Sequence, residues 1–225
     1  MHIEPFFDGD TATVTYVVSD GTRKTCAIID PVLDYDPASG RTGTASADKV
    51  AAYIKKNGLK VEWILETHIH ADHLTGADYL KKVFGCKIGI GWKITEALSY
   101  WVPIFNTAHD TPLDGSQFDK HFKDGETFSI GSLKAIAIYT PGHTPVCMSY
   151  LIGDAVFVGD TIFMPYVGTA RTDFPGGSAA DLYRSIQKIL SLPDSTRIFT
   201  CHDYPPQGSE PAWESTVGEQ KKKNI

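Results

Sequence analysis

At 225 residues, with 42% hydrophobic and 21% charged residues, the chain has the composition of one ordinary globular domain. Its formal charge of −6 argues against nucleic acid or an anionic membrane as the main partner. No apolar stretch is long enough to span a bilayer, and Met1-His2-Ile3-Glu4-Pro5 lacks the basic and apolar regions of a signal peptide, so the expectation is a cytoplasmic protein.

Thr13–Ser19 and Thr25–Ile29 read as a β-hairpin turning at Asp20-Gly21, a strong hairpin dipeptide. An amphipathic helix is expected over residues 46–56, stopped by Asn57-Gly58. Residues 61–66 are β-branched and aromatic enough for a buried strand, and 74–84 carry apolar residues at helical spacing until Gly85. A short strand follows at 87–90. From Trp92 to Gly125 the pattern weakens into Pro, Asp, Gly and Phe, which reads as an irregular insertion or lid. Strands are expected again at 126–130, 133–139, 146–151 and 155–158. Ser178 with Asp181 three residues on opens a helix to Leu190, and a last strand covers 197–201. The tail, 205–225, is polar and offers no convincing element, so it reads as disordered or cut short. The whole points to an α+β layered fold of two sheets face to face with helices outside.

Between the strand at 61–66 and the helix at 74–84 lies Thr67-His68-Ile69-His70-Ala71-Asp72-His73. Four metal-capable side chains in six positions, drawing three of the chain's eight histidines, are hard to explain as a polar surface loop. His68 and His70 alternate off an extended segment, while Asp72 and His73 are expected at the helix start, reaching the same cavity from another side. Three later positions share the placement of a ligand-type residue after an apolar strand: His143 in Pro141-Gly142-His143-Thr144, Asp160 in Gly159-Asp160-Thr161, and His202. Gly142 and Gly159 suit backbone that turns sharply or approaches a metal closely. Five His and two Asp suffice for a two-metal centre bridged by Asp160. Cys26, Cys86, Cys147 and Cys201 form no C-x-x-C pair and are expected to be buried apolar residues, with Cys201 notable for its neighbour His202.

With those residues in place the chain resembles the metallo-β-lactamase superfamily, whose His-x-His-x-Asp-His signature is matched by His68, His70, Asp72 and His73, and whose later ligands are matched by His143, Asp160 and His202. The resemblance implies an αββα sandwich of two mixed sheets, a catalytic domain over residues 1–204 with 205–225 as tail, and a metal site at one edge of the sheets. It leaves the reaction open, because one fold serves many chemistries.

The run Arg171-Thr172-Asp173-Phe174, and His202-Asp203-Tyr204 after the last strand, is similar to the persulfide dioxygenases of the ethylmalonic encephalopathy protein family. That resemblance implies one Fe(II) per chain held by His68, His143 and Asp160, with His70, Asp72, His73 and His202 around it. It implies a persulfide such as glutathione persulfide, with O2, as substrates, sulfite and the thiol as products, and a homodimer. Asp72, His73 and Tyr204 are the expected catalytic groups; Arg171, Thr144 and Tyr204 are expected at the substrate. Arg171 is read either as a carboxylate clamp or as a structural partner of Asp173 or Asp160, and Tyr204 either as a donor to substrate or as a packed aromatic. The family commonly has Gly-Cys-Gly where this chain has Gly168-Thr169-Ala170, and residues 101–121 look longer than in compact members, which suggests a reshaped entrance. The alternative is a two-zinc thioester hydrolase of the glyoxalase II type, supported by the full seven-residue set.

Overall fold

Along Thr13–Ser19 the side chains of Val14, Tyr16 and Val18 join one apolar cluster and Val17 joins another, so this strand is buried on both faces. That demands a layer on each side of its sheet. The structure, a computed structural model, describes residues 1–22 and 24–224. In chain order the first half forms β1 (His2–Asp8), β2 (Thr13–Ser19), β3 (Thr25–Ile29), β4 (Val32–Asp36), β5 (Arg41–Gly43), α1 (Ala45–Lys56), β6 (Lys60–Leu65), β7 (Leu74–Thr75), α2 (Ala77–Phe84), β8 (Lys87–Gly91), α3 (Ile94–Phe105) and β9 (Lys120–Phe122). The second half forms β10 (Thr127–Ile130), β11 (Leu133–Tyr139), β12 (Met148–Ile152), β13 (Ala155–Phe157), α4 (Ala179–Leu190), β14 (Arg197–Phe199), β15 (Glu214–Thr216) and α5 (Val217–Lys223).

Two six-stranded sheets result, ordered β1-β2-β3-β6-β8-β9 and β10-β11-β12-β13-β14-β15, with a small third sheet β5-β4-β7. Both large sheets are mixed: β3 runs parallel to β6 and antiparallel to β2, and β13 runs parallel to β14 and antiparallel to β12. Tyr16 and Phe122 from the first sheet meet Phe157, Phe199 and Tyr150 from the second at ring separations of 5.3 to 5.9 Å. Each such fully buried side chain stabilises the fold by roughly 1.5–3 kcal/mol. Val50, Ile54 and Leu80 of α1 and α2 cover the outer face of the first sheet, and Ile189 and Val217 of α4 and α5 pack with Val156 and Ile198 of the second. The expected αββα sandwich is therefore observed. Among the described residues no helix is long and apolar enough to cross a membrane.

Three expectations are corrected. The segment from Trp92 to Gly125 is not an irregular insertion: it contains α3 and β9. Ile94, Ala97, Leu98 and Val102 are buried at helical spacing, but exposed Tyr100, Ile104 and Phe105 widen the apolar side until only Thr95, Glu96 and Ser99 stand against it, and Pro103 sits in the last turn. The helix expected over 74–84 begins at Ala77, because Leu74–Thr75 pairs with β4 as a strand and the Gly76 amide is held by the Pro31 carbonyl at 2.7 Å. Asp72 and His73 thus lie in a loop and not at a helix start. The tail is ordered over β15 and α5. A three-residue strand and a seven-residue helix are too short for periodicity to show, although Thr216 accepting from the Glu219 amide at 3.1 Å is the helix-start pattern already recognised at Ser178.

Candidate metal centre

The ligand-type residues follow the ends of four strands: β6 leads to His68, His70, Asp72 and His73, β11 to His143, β13 to Asp160 and β14 to His202. β6 belongs to the first sheet and the other three to the second, so the site straddles their common edge. Buried hydroxyls tie that edge together. Tyr150 donates to the Glu66 carbonyl at 2.9 Å and Tyr16 to the Thr200 carbonyl at 2.5 Å, each crossing between the sheets to fix the strand end that bears a histidine. The Met148 amide donates to the Thr67 carbonyl, and the Val14 amide to the Cys201 carbonyl, stitching both loops further.

Two glycines permit this convergence. Gly142 has φ +141°, and a Cβ there would lie 2.3 Å from the Leu182 backbone, so the loop carrying His143 rests directly on α4. Gly159 has φ +51°, and its Cβ would meet the Thr67 hydroxyl at 2.5 Å, which brings Asp160 beside His68. In both cases the close approach is to protein.

The result is two neighbouring groups of potential ligand atoms, each within 4.8 Å of one another: His68, His143 and Asp160, and His70, Asp72, His73 and His202. Asp160 joins them. One carboxylate oxygen lies 3.8 Å from His68 Nε2 and 3.5 Å from His143 Nε2, and the other lies 3.5 Å from His202 Nε2. Asp72 bridges within the second group, 3.2 Å from His202 and 3.5 Å from His73.

The outer hydrogen bonds determine which ring nitrogens face inward. The Arg171 carbonyl can only accept, so His143 Nδ1, at 2.8 Å, carries its proton there and Nε2 keeps its lone pair. Thr67 commits its one hydroxyl proton to Asp30 at 2.9 Å, so it accepts from His68 Nδ1 at 3.0 Å, and again Nε2 is left as the lone pair. Thr13 lies 3.4 Å from His73 Nδ1 and 3.3 Å from His202 Nδ1, and with one proton it can donate to at most one of them. His68 Nε2, His70 Nδ1, His73 Nε2, His202 Nε2 and Asp160 Oδ1 are buried with no protein hydrogen-bond partner. Orphaned buried acceptors are costly unless something satisfies them. A convergent set of imidazole lone pairs and carboxylate oxygens fits divalent cations, and the residues present match that requirement.

The electrostatics favour neutral rings at His68 and His73 and a protonated one at His70. Burial and neighbouring imidazoles hold His68 well below the ordinary histidine range, and burial and His70 lower His73, so both rings are neutral at physiological pH and can offer a lone pair. Burial would also lower His70, but Asp30 at 3.3 Å and Glu66 at 3.4 Å reverse the sign and raise it well above its usual value. Burial pushes Asp72 up, and its imidazole neighbours His73 and His202 overcome this and lower it. The thiols take no part: burial raises Cys147 to about 12 and Cys201 well above the ordinary thiol range.

All seven ligand-type residues named from the sequence are thus brought together. Thr144 lines the adjoining cleft, its hydroxyl 3.0 Å from Cys147 Sγ. Arg171 forms a two-pronged pair with Asp173 at 2.5 and 2.6 Å and stacks over Phe174, whose ring packs edge-on against His143. This is the pairing with Asp173 that the structural alternative for Arg171 expects, and the guanidinium stays exposed beside the cleft. Tyr204 stacks parallel to His202 at 6.0 Å and is half exposed, its hydroxyl raised to about 12 by burial and nearby carboxylates. Sequence reasoning missed Asp30, Glu66 and Thr13. Asp30 accepts from the Thr67 amide, the Thr67 hydroxyl, His70 and the Cys201 thiol; the only signal was an acidic residue between the end of a strand and a proline.

A cleft of about 1330 Å³ opens from His70, Asp72, His73 and His143 and is walled by α3, the β4 region and residues 174–176. The family model for the metallo-beta-lactamase superfamily matches residues 8–202. The chain belongs to that superfamily. It is 56% identical over 223 residues to a beta-lactamase hydrolase-like protein of Agrobacterium fabrum, which aligns with 99% of this chain and 52% of that one, so the chain spans about half of that relative. It is 53% identical to glyoxylase B2 of Dictyostelium discoideum, covering 99% of this chain and 77% of that one. Bovine mitochondrial persulfide dioxygenase ETHE1 is 31% identical over 206 residues, 90% of this chain and 68% of that one. The crystal structure of ETHE1 from Myxococcus xanthus superposes with a TM-score of 0.78 at 28% identity, covering 100% of this chain and 83% of that one.

Proposed function

We propose that this metallo-β-lactamase-fold domain is a persulfide dioxygenase that binds one Fe(II) through His68, His143 and Asp160. The observation that carries this reading is the construction around His143. The Arg171-Thr172-Asp173-Phe174 run, the segment that resembles the dioxygenases, is the support of that ring: the Arg171 carbonyl takes its Nδ1 proton, Phe174 packs on it, and the Asp173 pair holds Arg171 over Phe174. Such backing fixes ring orientation and ligand basicity. Iron(II) held by His68, His143 and Asp160 would supply redox chemistry toward sulfur and dioxygen.

The reaction balances as R–S–SH + O2 + H2O giving R–SH, sulfite and two protons: the terminal sulfur loses four electrons and dioxygen gains them. The residues around the iron-binding set manage position and charge. Thr67 and the Arg171 carbonyl hold His68 and His143 with Nε2 inward. His70, between Asp30 and Glu66, holds a proton at the site, and Asp72 keeps its negative charge beside His73 and His202. Thr144 lies where the persulfide enters, and Tyr204 covers the His202 side.

A second reading, a two-zinc hydrolase of glutathione thioesters, is favoured by one observation: the group His70, Asp72, His73 and His202 is as compact as the first and shares Asp160 with it. The two readings separate on turnover. Iron-loaded protein supplied with glutathione persulfide in an oxygen electrode should form about one sulfite per O2 consumed. Hydrolysis of a glutathione thioester by zinc-loaded protein, with no oxygen uptake by the iron form, would transfer the assignment to the hydrolase.

A further inference from the structure

The turn that closes the β1–β2 hairpin carries polar side chains with no direct place in the metal centre. Asp8 ends β1 and Thr13 begins β2, and the two stand opposite each other in the strand register. Between them Ala12 has φ +56°, a left-handed backbone that a residue with a Cβ keeps only where its surroundings hold it. The holding bonds come from the loop that bears His202: the Asp203 amide donates to the Ala12 carbonyl at 3.1 Å, and the Val14 amide to the Cys201 carbonyl at 2.7 Å. With the chain bent in this way, the Thr11 and Thr13 hydroxyl oxygens lie 2.8 Å apart.

A line of hydrogen bonds results, running from the cleft wall to two rings of the centre. Asp8 and Thr11 line the cleft, and Thr13 is fully buried. One Asp8 oxygen lies 3.0 Å from the Thr11 amide and 2.7 Å from the Thr11 hydroxyl. A carboxylate accepts and does not donate, so the single Thr11 hydroxyl proton goes to Asp8. Thr11 Oγ1 then has lone pairs to offer Thr13 and receives the Thr13 proton; the Thr11 carbonyl, at 3.5 Å, would draw that proton the same way. Thr13 Oγ1 is left with two lone pairs, and two ring nitrogens face it, His202 Nδ1 at 3.3 Å and His73 Nδ1 at 3.4 Å. Both are therefore N–H donors. For His73 an Asp72 oxygen 3.5 Å from Nδ1 asks for the same proton. For His202 the pull is opposed, because Asp72 at 3.2 Å and Asp160 at 3.5 Å face Nε2 and compete for a proton there. The hydroxyl line decides this ring.

We infer that Asp8 is a positioning residue of the metal centre: acting through Thr11 and Thr13, it keeps the ring protons of His73 and His202 on Nδ1 and turns both Nε2 lone pairs inward. Orientation of this kind by outer hydrogen bonds governs how well a ring serves as a ligand or acceptor. A cation between the two rings, or the water that dioxygenation and hydrolysis both consume, meets acceptors there. The inference thus stands apart from the choice between the two reactions.

The test reads the ring protons directly. Proton–nitrogen correlation spectra of the metal-free full chain with isotope-labelled histidine, at about pH 8, distinguish Nδ1–H from Nε2–H before any metal imposes a tautomer. His73→Gln and His202→Gln assign the two rings. Wild type is expected to show Nδ1–H on both. Asp8→Ala releases the Thr11 proton toward Thr13, whose own proton then turns to an imidazole, so His202 should switch to Nε2–H. Asp8→Asn, whose amide oxygen can accept both bonds from Thr11, should restore the wild-type pattern. Zinc(II) affinity, by competition with a chelating dye, should fall about tenfold in Asp8→Ala and stay within about twofold of wild type in Asp8→Asn. Thr11→Val breaks the line at its middle with Asp8 in place and should weaken zinc(II) similarly, with Thr11→Ser as its rescue. A wild-type His202 with its proton on Nε2 overturns the inference, and that spectrum decides even where a variant fails to fold. Asp8→Ala with both rings still Nδ1–H overturns it as well. Equal loss of zinc(II) affinity in Asp8→Ala and Asp8→Asn does the same, since the charge of Asp8 and not the direction of the hydrogen bonds would then be acting.

Discussion

The Thr67 hydroxyl donates to Asp30 at 2.9 Å, and this one bond settles which nitrogen of His68 faces the metal centre. With its proton committed, Thr67 can only accept from His68 Nδ1, so the ring presents the Nε2 lone pair inward. Asp30 thereby acts on the site without being placed to bind the metal through His68.

Replacing Asp30 with Asn removes the charge that Thr67 and His70 lean on. Asn tolerates the positive φ of 47° at this position, so the backbone is not the cause of any loss. The expected outcome is a metal affinity weakened by about 10–100-fold and a fold destabilised by several kcal/mol, on the scale of about 3–5 kcal/mol for breaking a buried charge pair. Competition with a metal-binding dye and urea unfolding measure the two effects; unchanged metal affinity would remove Asp30 from the positioning chain.

Gly142→Ala should be more damaging than its size suggests. The new methyl meets the Leu182 backbone at 2.3 Å and the φ of +141° is unfavourable for any side chain, so α4 or the His143 loop must move. A loss of about 2–4 kcal/mol is expected in thermal or urea unfolding, together with weakened metal retention. Gly153→Ala provides the contrast: it too has positive φ, but its methyl would meet only the flexible Met1 side chain, so it should be strained without disturbing the site.

Tyr150→Phe removes the hydroxyl that holds the Glu66 carbonyl and leaves the ring in place. A buried carbonyl losing its partner costs about 1–3 kcal/mol. Because that carbonyl precedes the His68 loop, the variant should also show faster hydrogen exchange at the Thr67 to His73 amides than wild type, and a local effect of this kind separates it from general loosening of the core.

The metal-free protein should lose stability on acidification. His68 and His73 are lowered in the folded state, so between their folded values and the ordinary value near ~6.5 the unfolded chain binds more protons than the folded one. Their contribution is present above about pH 6.5 and is lost as pH falls below it. His70 is raised and has the opposite sign, contributing below about pH 6.5 and fading as pH rises through its folded value. Urea midpoints of metal-free protein from pH 7.5 down to pH 5 should therefore fall, and His68→Gln should flatten the slope. A midpoint that rises on acidification would mean that His70 dominates.

How much of this was legible in the sequence depends on whether a residue carried a local pattern. The β2 and β3 strands alternate cleanly and turn at Asp20-Gly21, and they form over Thr13–Ser19 and Thr25–Ile29 as read. The His-x-His-x-Asp-His run identified the site because clustering is itself a local signal. Asp30, Glu66 and Thr13 were invisible for the opposite reason: each is a single polar residue near a strand end, and only the folded chain brings Asp30 to Thr67, 37 residues away, or Thr13 to His202, 189 away. The α3 helix was missed although its buried positions are regularly spaced, because exposed Tyr100, Ile104 and Phe105 widen its apolar side. A helix with so broad an apolar side shows little of the contrast on which periodicity depends. Arg171 pairs with Asp173, one of the partners that the sequence offered for it.

The most direct test of the central claim is metal content per chain, by plasma mass spectrometry, on protein grown with iron and purified without chelator, for wild type and for His143→Ala and His73→Ala. The account predicts about one iron per chain in wild type and in His73→Ala, and a loss of most of it in His143→Ala. Two metal ions per chain in wild type, falling to about one in either variant, would contradict the single-iron centre and support the binuclear hydrolase.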